Sequence, residues 1–279
     1  MPLSGQTKMV RPNAVKKHPL WVRRITRFDQ YIEGTCSNTM TTKHDQISDT
    51  LTEDILQGRY RVGERLPSER DLSTRFDANR GAVREAMKRL EQLGIVDVQP
   101  GGARVKGTNQ ASLDVISHLL NQGDLPDRHL VDQILVVINS LVSIAAEQLL
   151  KSGRDEEIEE IRGFVRAFFN QELNKEAHNL ARIALMQKML QSSHNLPLQI
   201  IARTLFEQFA PSMAPIAAYA RVDNQRFTQN AKTLDLALEK RDLAAVRAAF
   251  DAFSELNRET MVAAFDLAQS TRGQEATSL

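Results

Sequence analysis

The sequence predicts a mainly α-helical protein, with an N-terminal winged helix-turn-helix followed by an all-α helical bundle. Three observations carry this. Three short helical periods with caps occupy residues 44–93. A β-like pair flanks a Gly-Gly step at 95–106. From residue 113 onward only long 3.6-residue apolar periods appear, without further strand signals.

From His44 to Gln57, Ile47, Leu51 and Ile55 recur every fourth residue, and Gly58 follows where a C-terminal cap belongs. After a turn-like stretch from Arg59 to Arg65, Ser68 can cap the amide of Asp71, starting a short second helix over Glu69 to Arg75. Phe76-Asp77-Ala78 makes a turn. Asn79 is a good N-cap for a third helix over Arg80 to Leu93, whose apolar stripe is Val83, Ala86/Met87, Leu90 and Leu93. Ile95-Val96-Asp97-Val98 then alternates like a strand. Gly101-Gly102 supplies the positive φ of a tight hairpin, and Arg104-Val105-Lys106 returns.

The remaining chain reads as helices over 113–122, 128–151, 155–174, 178–192, 197–220, 225–240 and 243–268. The domain reading is therefore a basic arm at 1–42, a winged domain at 43–107, a linker at 108–112, a helical domain at 113–269 and a frayed tail at 270–279. The stretch from Ile134 to Ala146 is the most apolar. It falls short of the roughly 18 residues that span a bilayer and reads as a buried core helix.

At 279 residues the chain is long enough for two cores. Its composition, 42% hydrophobic and 5% aromatic, excludes collagen-like, disordered and aromatic-rich β classes. The single Cys36 cannot form an internal disulfide, and no apolar run marks a secretory signal, so the cytoplasm is the expected compartment. The net charge of +1 conceals a polarity. Residues 1–107 carry 19 basic against 13 acidic side chains, and residues 108–279 carry 17 against 22. Residues 1–42 alone hold 7 basic and 2 acidic groups. This arm has two open readings: Met40 is the true start, or the arm reaches DNA backbone or minor groove.

Arg80, Gly81, Arg84 and Lys88 share one arc of the third helix, displaced from the core stripe. Gly81 and Ala82 keep its N-terminus slim enough for a major groove, where arginine can pair bidentately with guanine. Asn79 is placed either to read adenine or simply to cap. An ordinary solvated face is the competing reading of the arginines.

The run Ile55-Leu-Gln-Gly-Arg-Tyr-Arg-Val-Gly-Glu-Arg-Leu-Pro-Ser-Glu-Arg-Asp-Leu, then Asn79-Arg-Gly-Ala-Val-Arg-Glu-Ala and Leu90-Glu-Gln-Leu-Gly-Ile-Val, resembles the GntR family of bacterial transcription regulators. The resemblance spans residues 47–106. It implies double-stranded operator DNA as a partner, contacted by Arg70, Asn79, Arg80, Gly81 and Arg84 and by the wing tip at Gly101 and Gly102. Two positions depart from the family's habit. Gly81 and Ala82 replace common hydroxyl residues. The wing reads Gln99-Pro-Gly-Gly-Ala-Arg-Val where many relatives have Gly-Ser-Gly-Thr-Phe, with Arg104 as a partial substitute.

The second half is similar to the FadR subfamily through Ser112 to Leu150, Ser193-His194-Asn195 and Arg241-Asp242. The resemblance implies a homodimer and a small-molecule effector, perhaps an organic acid or acyl-CoA. Many relatives hold a metal through an Asp-x3-His pair and two later histidines. Here Arg182, Met186, Ala231 and Phe253 stand at those places, so no metal or cofactor is expected. His118, His129, His178 and His194 read as caps or surface residues, and Phe250, Phe253 and Met261 as core. Arg182 and Met186 are the candidate effector contacts, with Arg182 clamping an anion. Glu207 or Glu176 as an internal partner, or a solvent-facing Arg182, are the competing readings. No phosphate loop, dinucleotide fingerprint, zinc-protease motif or nucleophile elbow is present, so no catalytic residue is expected. The alternative to a regulator, which is expected to repress, is a helical-bundle enzyme or a protein-interaction adaptor.

Overall fold

Ile47, Leu51, Leu72, Val83, Ala86, Leu90 and Ile95 are wholly buried together and form the core of the N-terminal domain. The computed structural model describes residues 42–169 and 175–277; the arm at 1–41 lies outside them. Helix α1 (Lys43–Leu56) starts at a capping box in which the Asp45 amide donates to Thr42 and the Thr42 amide donates to Asp45 at 3.2 Å. Ser68 caps α2 (Glu69–Arg75), and Asn79 caps α3 (Arg80–Gln92) through the Ala82 amide at 2.8 Å. The buried carboxylate of Asp54 receives Arg59 at 2.6 Å and Arg75 at 2.7 Å, fastening α1 to α2. A buried acid paired to two guanidiniums is far less costly than an unpaired one.

Strands β1 (Val96–Gln99) and β2 (Gly102–Val105) pair antiparallel, with Val96 opposite Val105 and Gln99 opposite Gly102. The loop is Pro100-Gly101, with Gly101 at φ 107°. Proline then glycine at the two central positions is the order that a type II turn favours. The segment read as a plain turn instead adds an edge to this ribbon. Leu66 donates to Ala103 at 2.9 Å, and Arg65 bridges Arg104.

A 3₁₀ turn (Thr108–Gln110) leads to α4 (Val115–Leu120) and the bundle of α5 (Arg128–Ser152), α6 (Asp155–Arg166), α7 (Lys175–Ser192), α8 (Leu196–Ser212), α9 (Ala214–Ala217), α10 (Asn224–Glu239) and α11 (Leu243–Thr277). Besides shifts of two or three residues at α4 and at the start of α7, three boundaries differ from the sequence reading. The helix expected over 155–174 ends at Arg166 in a 3₁₀ turn, Ala167–Phe169. The helix expected over 197–220 breaks at Met213, between Pro211 and Pro215, because proline lacks the amide that continues a helix. The last helix continues through the expected tail to Thr277.

Helix α5 is 25 residues long and, by length and composition alone, apolar enough to cross a membrane. Helices α7, α8 and α11 pack along it, and its Asp132 and Glu147 pair with Arg258 and Arg247 of α11. It is an inner helix of the bundle, yet only 28% of its most apolar window is buried, and Val136, Val137 and Ile144 stay exposed. The expectation of a fully buried core helix is corrected accordingly.

Candidate nucleic-acid interface and helical cavity

Because the core stripe of α3 fixes its rotation, Arg80, Gly81, Arg84 and Lys88 face outward, all exposed. Arg70 on α2 is exposed as well. Neither the Arg70 nor the Arg80 guanidinium has an ion-pair or hydrogen-bond partner among the described residues. Arg84 meets Glu69 of α2 at 3.3 Å, an exposed pair that contributes little stability and that phosphate can displace. Lys88 is paired with Glu85 at 2.9 Å, which thins the basic stripe. Asn79 caps with Oδ1, and a Cβ at Gly81 would sit 3.2 Å from that Oδ1.

At the wing, Gly102 has φ 123°, and a Cβ there would meet the end of the Arg65 side chain, which would have to move aside. The positive φ is what favours glycine here. Arg104 is exposed, but its Nη1 donates to the Gly63 carbonyl at 2.9 Å, so the side chain braces the ribbon's base. Arg65, lying against the wing, has no signal in the sequence. It sits in a non-periodic segment and reaches Gly102 only through the fold.

In the bundle, a cavity of about 530 Å³ opens between α5, α7, α8, α10 and α11. His178, Arg182 and Met186 recur every fourth residue on α7 and all line it. Arg182 donates to Asn257 Oδ1 of α11, and its guanidinium carbon lies 5.5 Å from the centre of the Phe227 ring. Burial draws its pKa down to about 10. Glu207 pairs instead with Arg203, at 3.7 Å, and the Glu176 side chain falls outside the described set. His178, expected as a cap or surface residue, is buried among Phe168 and Phe227. Burial first, then the nearby Arg182, push its pKa down to about 4. His194 is a surface residue, bonded to Glu157 at 2.9 Å. Phe250 and Phe253, expected as core, are buried and also line the cavity, as does Met261. Ala231, at the place of a metal-binding histidine in relatives, is fully buried.

Residues 43–105 match the bacterial regulatory proteins of the gntR family. This segment is similar to the gntR family. Over 133 residues the chain is 31% identical to the Uxu operon regulator of Haemophilus influenzae, covering 47% of this chain and 44% of that protein. It is 28% identical over 161 residues to the galactonate operon transcriptional repressor of Escherichia coli, covering 56% and 69%. The chain thus spans less than half the length of the Haemophilus relative. A solved structure described as "Lar controls the expression of the Listeria monocytogenes agr system and mediates virulence" has a TM-score of 0.50 at 18% identity. It covers 82% of this chain and 100% of its own, and shows the likeness of fold. The gntR match starts at the first residue of α1 and ends with β2, so it takes in α3, the wing and their arginines.

Proposed function

We propose that the protein is a cytoplasmic, homodimeric transcription regulator of the GntR/FadR type, a repressor that binds double-stranded operator DNA and is not an enzyme. The observation that carries this reading is an exposed, capped helix α3 with Arg80 and Arg84 on its free face, inside a segment similar to the gntR family. In this account the N-terminus of α3 enters the major groove, and Arg70, Asn79, Gly81 and Arg84 line its contact with backbone and bases. The Gly101-Gly102 tip approaches the neighbouring groove, while Arg104 supports it.

A single winged module buries little surface, and a two-fold dimer on a pseudo-palindrome doubles it. Val136, Val137 and Ile144, exposed on α5, suit burial against a second copy. A small-molecule effector in the helical cavity would set operator affinity by binding one arrangement of the bundle better than another.

Selection of binding sequences from a random duplex pool by the purified full chain tests the reading. An enriched inverted repeat is expected. A pool that stays unenriched is the outcome for the alternatives, a helical enzyme or an adaptor protein.

A further inference from the structure

We propose that the helical cavity takes a monocarboxylate with an apolar body, its carboxylate seated directly on the Arg182 guanidinium with no bridging metal ion. The proposal deepens the effector reading above and rests on it.

The charge around the cavity is one-sided. Lys175, Arg182 and Arg221 line it, and no aspartate or glutamate does so among the described residues. Arg182 has no carboxylate partner there either; its neighbours are the Asn257 oxygen and the Phe227 ring. Asn257 occupies part of a five-donor fork and orients it, leaving further N–H groups for a planar two-oxygen acceptor. A carboxylate has that shape. His178, one turn before Arg182, is held neutral by burial, so it adds a hydrogen-bonding nitrogen rather than a second charge. Among the described residues, no cluster of three or more His, Cys, Asp or Glu could hold a cation between ligand and protein.

The rest of the wall decides what the carboxylate is attached to. Phe206, Phe209, Phe250, Phe253 and Met186 line it. Such a surface rewards burial of methylene or ring carbon. Asn139, Asn179, Asn224 and Thr260 also line it, so a sugar acid would find partners for some of its hydroxyls and set the rest against aromatic rings, a desolvation cost. An apolar body is therefore favoured over a polyhydroxylated one such as galactonate, which carries the same head group. At the rim, Lys175 donates to the carbonyls of Ala217 and Ala218, and Arg221 to those of Ala218 and Ala220 at 2.8 and 3.2 Å. These two cations brace the α9 segment and give the mouth a positive field that draws anions in.

Isothermal titration of the full chain with octanoate, 4-phenylbutyrate, octan-1-ol and galactonate tests the proposal. At least one of the two apolar carboxylates is expected to bind, with octan-1-ol and galactonate at least about tenfold weaker; octanoate against phenylbutyrate tells a chain from a ring. Arg182→Met is expected to weaken that carboxylate by about 10-fold or more, as loss of a charged hydrogen bond does, with the unliganded melting temperature retained. Asn257→Asp, which supplies an internal counter-ion of the same shape, is expected to do likewise should the first variant not fold. Binding of galactonate or octan-1-ol in preference, affinity undiminished in the folded variants, or no binding by either apolar carboxylate would overturn the assignment. Unliganded operator binding is scored on the same preparation. DNA binding without carboxylate binding sinks the cavity proposal alone, and its absence sinks the regulator reading instead.

Discussion

Gln208 donates its side-chain amide to the Asp114 carboxylate at 3.1 Å, joining the helix that walls the cavity to the segment that leaves the winged domain. Helix α8 presents Phe206 and Phe209 to the cavity, and Phe209 also packs in one cluster with Leu120 of α4. Helix α4 in turn lies against α1. On α4, His118 feels Asp49 and Glu53 of α1 and Arg89 of α3, and burial outweighs those two acids to hold its pKa down. A ligand that repacks α8 thus acts on a contiguous set of side chains ending at the helices that position α3.

Arg80 and Arg84 are the first test of readout. Replacing either with Ala is expected to weaken operator binding about 10- to 100-fold if the contact is bidentate to a base. Both side chains are exposed, so the melting temperature should not change. Anisotropy titrations on a selected operator check this, and parental affinity in both variants would remove α3 as the reader.

The dimer is tested on α5. A Val136→Glu, Ile144→Glu double variant is expected to move the sedimentation equilibrium from dimer toward monomer, because each carboxylate would be buried unpaired against the second copy. A parent that sediments as a monomer both free and on DNA would contradict the two-fold arrangement.

A pH dependence follows from His178. Its folded pKa of about 4 lies below the ordinary 6.5, so the unfolded chain binds more protons between these values. The stability it contributes is full above pH 6.5 and is lost as pH falls toward 4, by up to about 3 kcal/mol. His178→Leu is expected to flatten most of that slope in urea titrations at pH 7 and 4.5, with His118 leaving a remainder. An unchanged slope would show that His178 is already protonated when folded.

Metal content is expected to be far below one equivalent per chain, since Arg182, Met186 and Phe253 line the cavity where relatives place a carboxylate and histidines. Elemental analysis of protein purified without chelators checks it. About one equivalent of zinc, nickel or manganese would show that Arg182, Met186, Ala231 and Phe253 do not stand at the ligand places of those relatives.

The winged domain was legible because its signals are local. Ser68 and Asn79 cap the residues their spacing indicates, and the Val83 to Leu93 stripe is buried as its period requires. The ribbon's third edge was not legible, since Leu66 finds Ala103 across a long gap in sequence. In the bundle, the break at Met213 was announced by Pro211 and Pro215, which the apolar period of the surrounding residues overrode. The cavity was half visible. The resemblance to a metal-binding subfamily placed Arg182 and Met186 together, and His178 lies one turn before them, but whether that face of α7 met solvent or other helices depended on α10 and α11. No periodicity along one helix carries that information.

The most direct test of the account is the salt dependence of equilibrium binding to the selected duplex against a scrambled one, between 50 and 200 mM potassium chloride. With two winged domains each neutralising about three to five phosphates, affinity for the selected duplex should fall about 10³-fold or more across that range. It should stay at least about 10³-fold above the scrambled duplex at the higher salt. Equal affinity for the two duplexes, or binding indifferent to salt, would contradict a sequence-reading regulator.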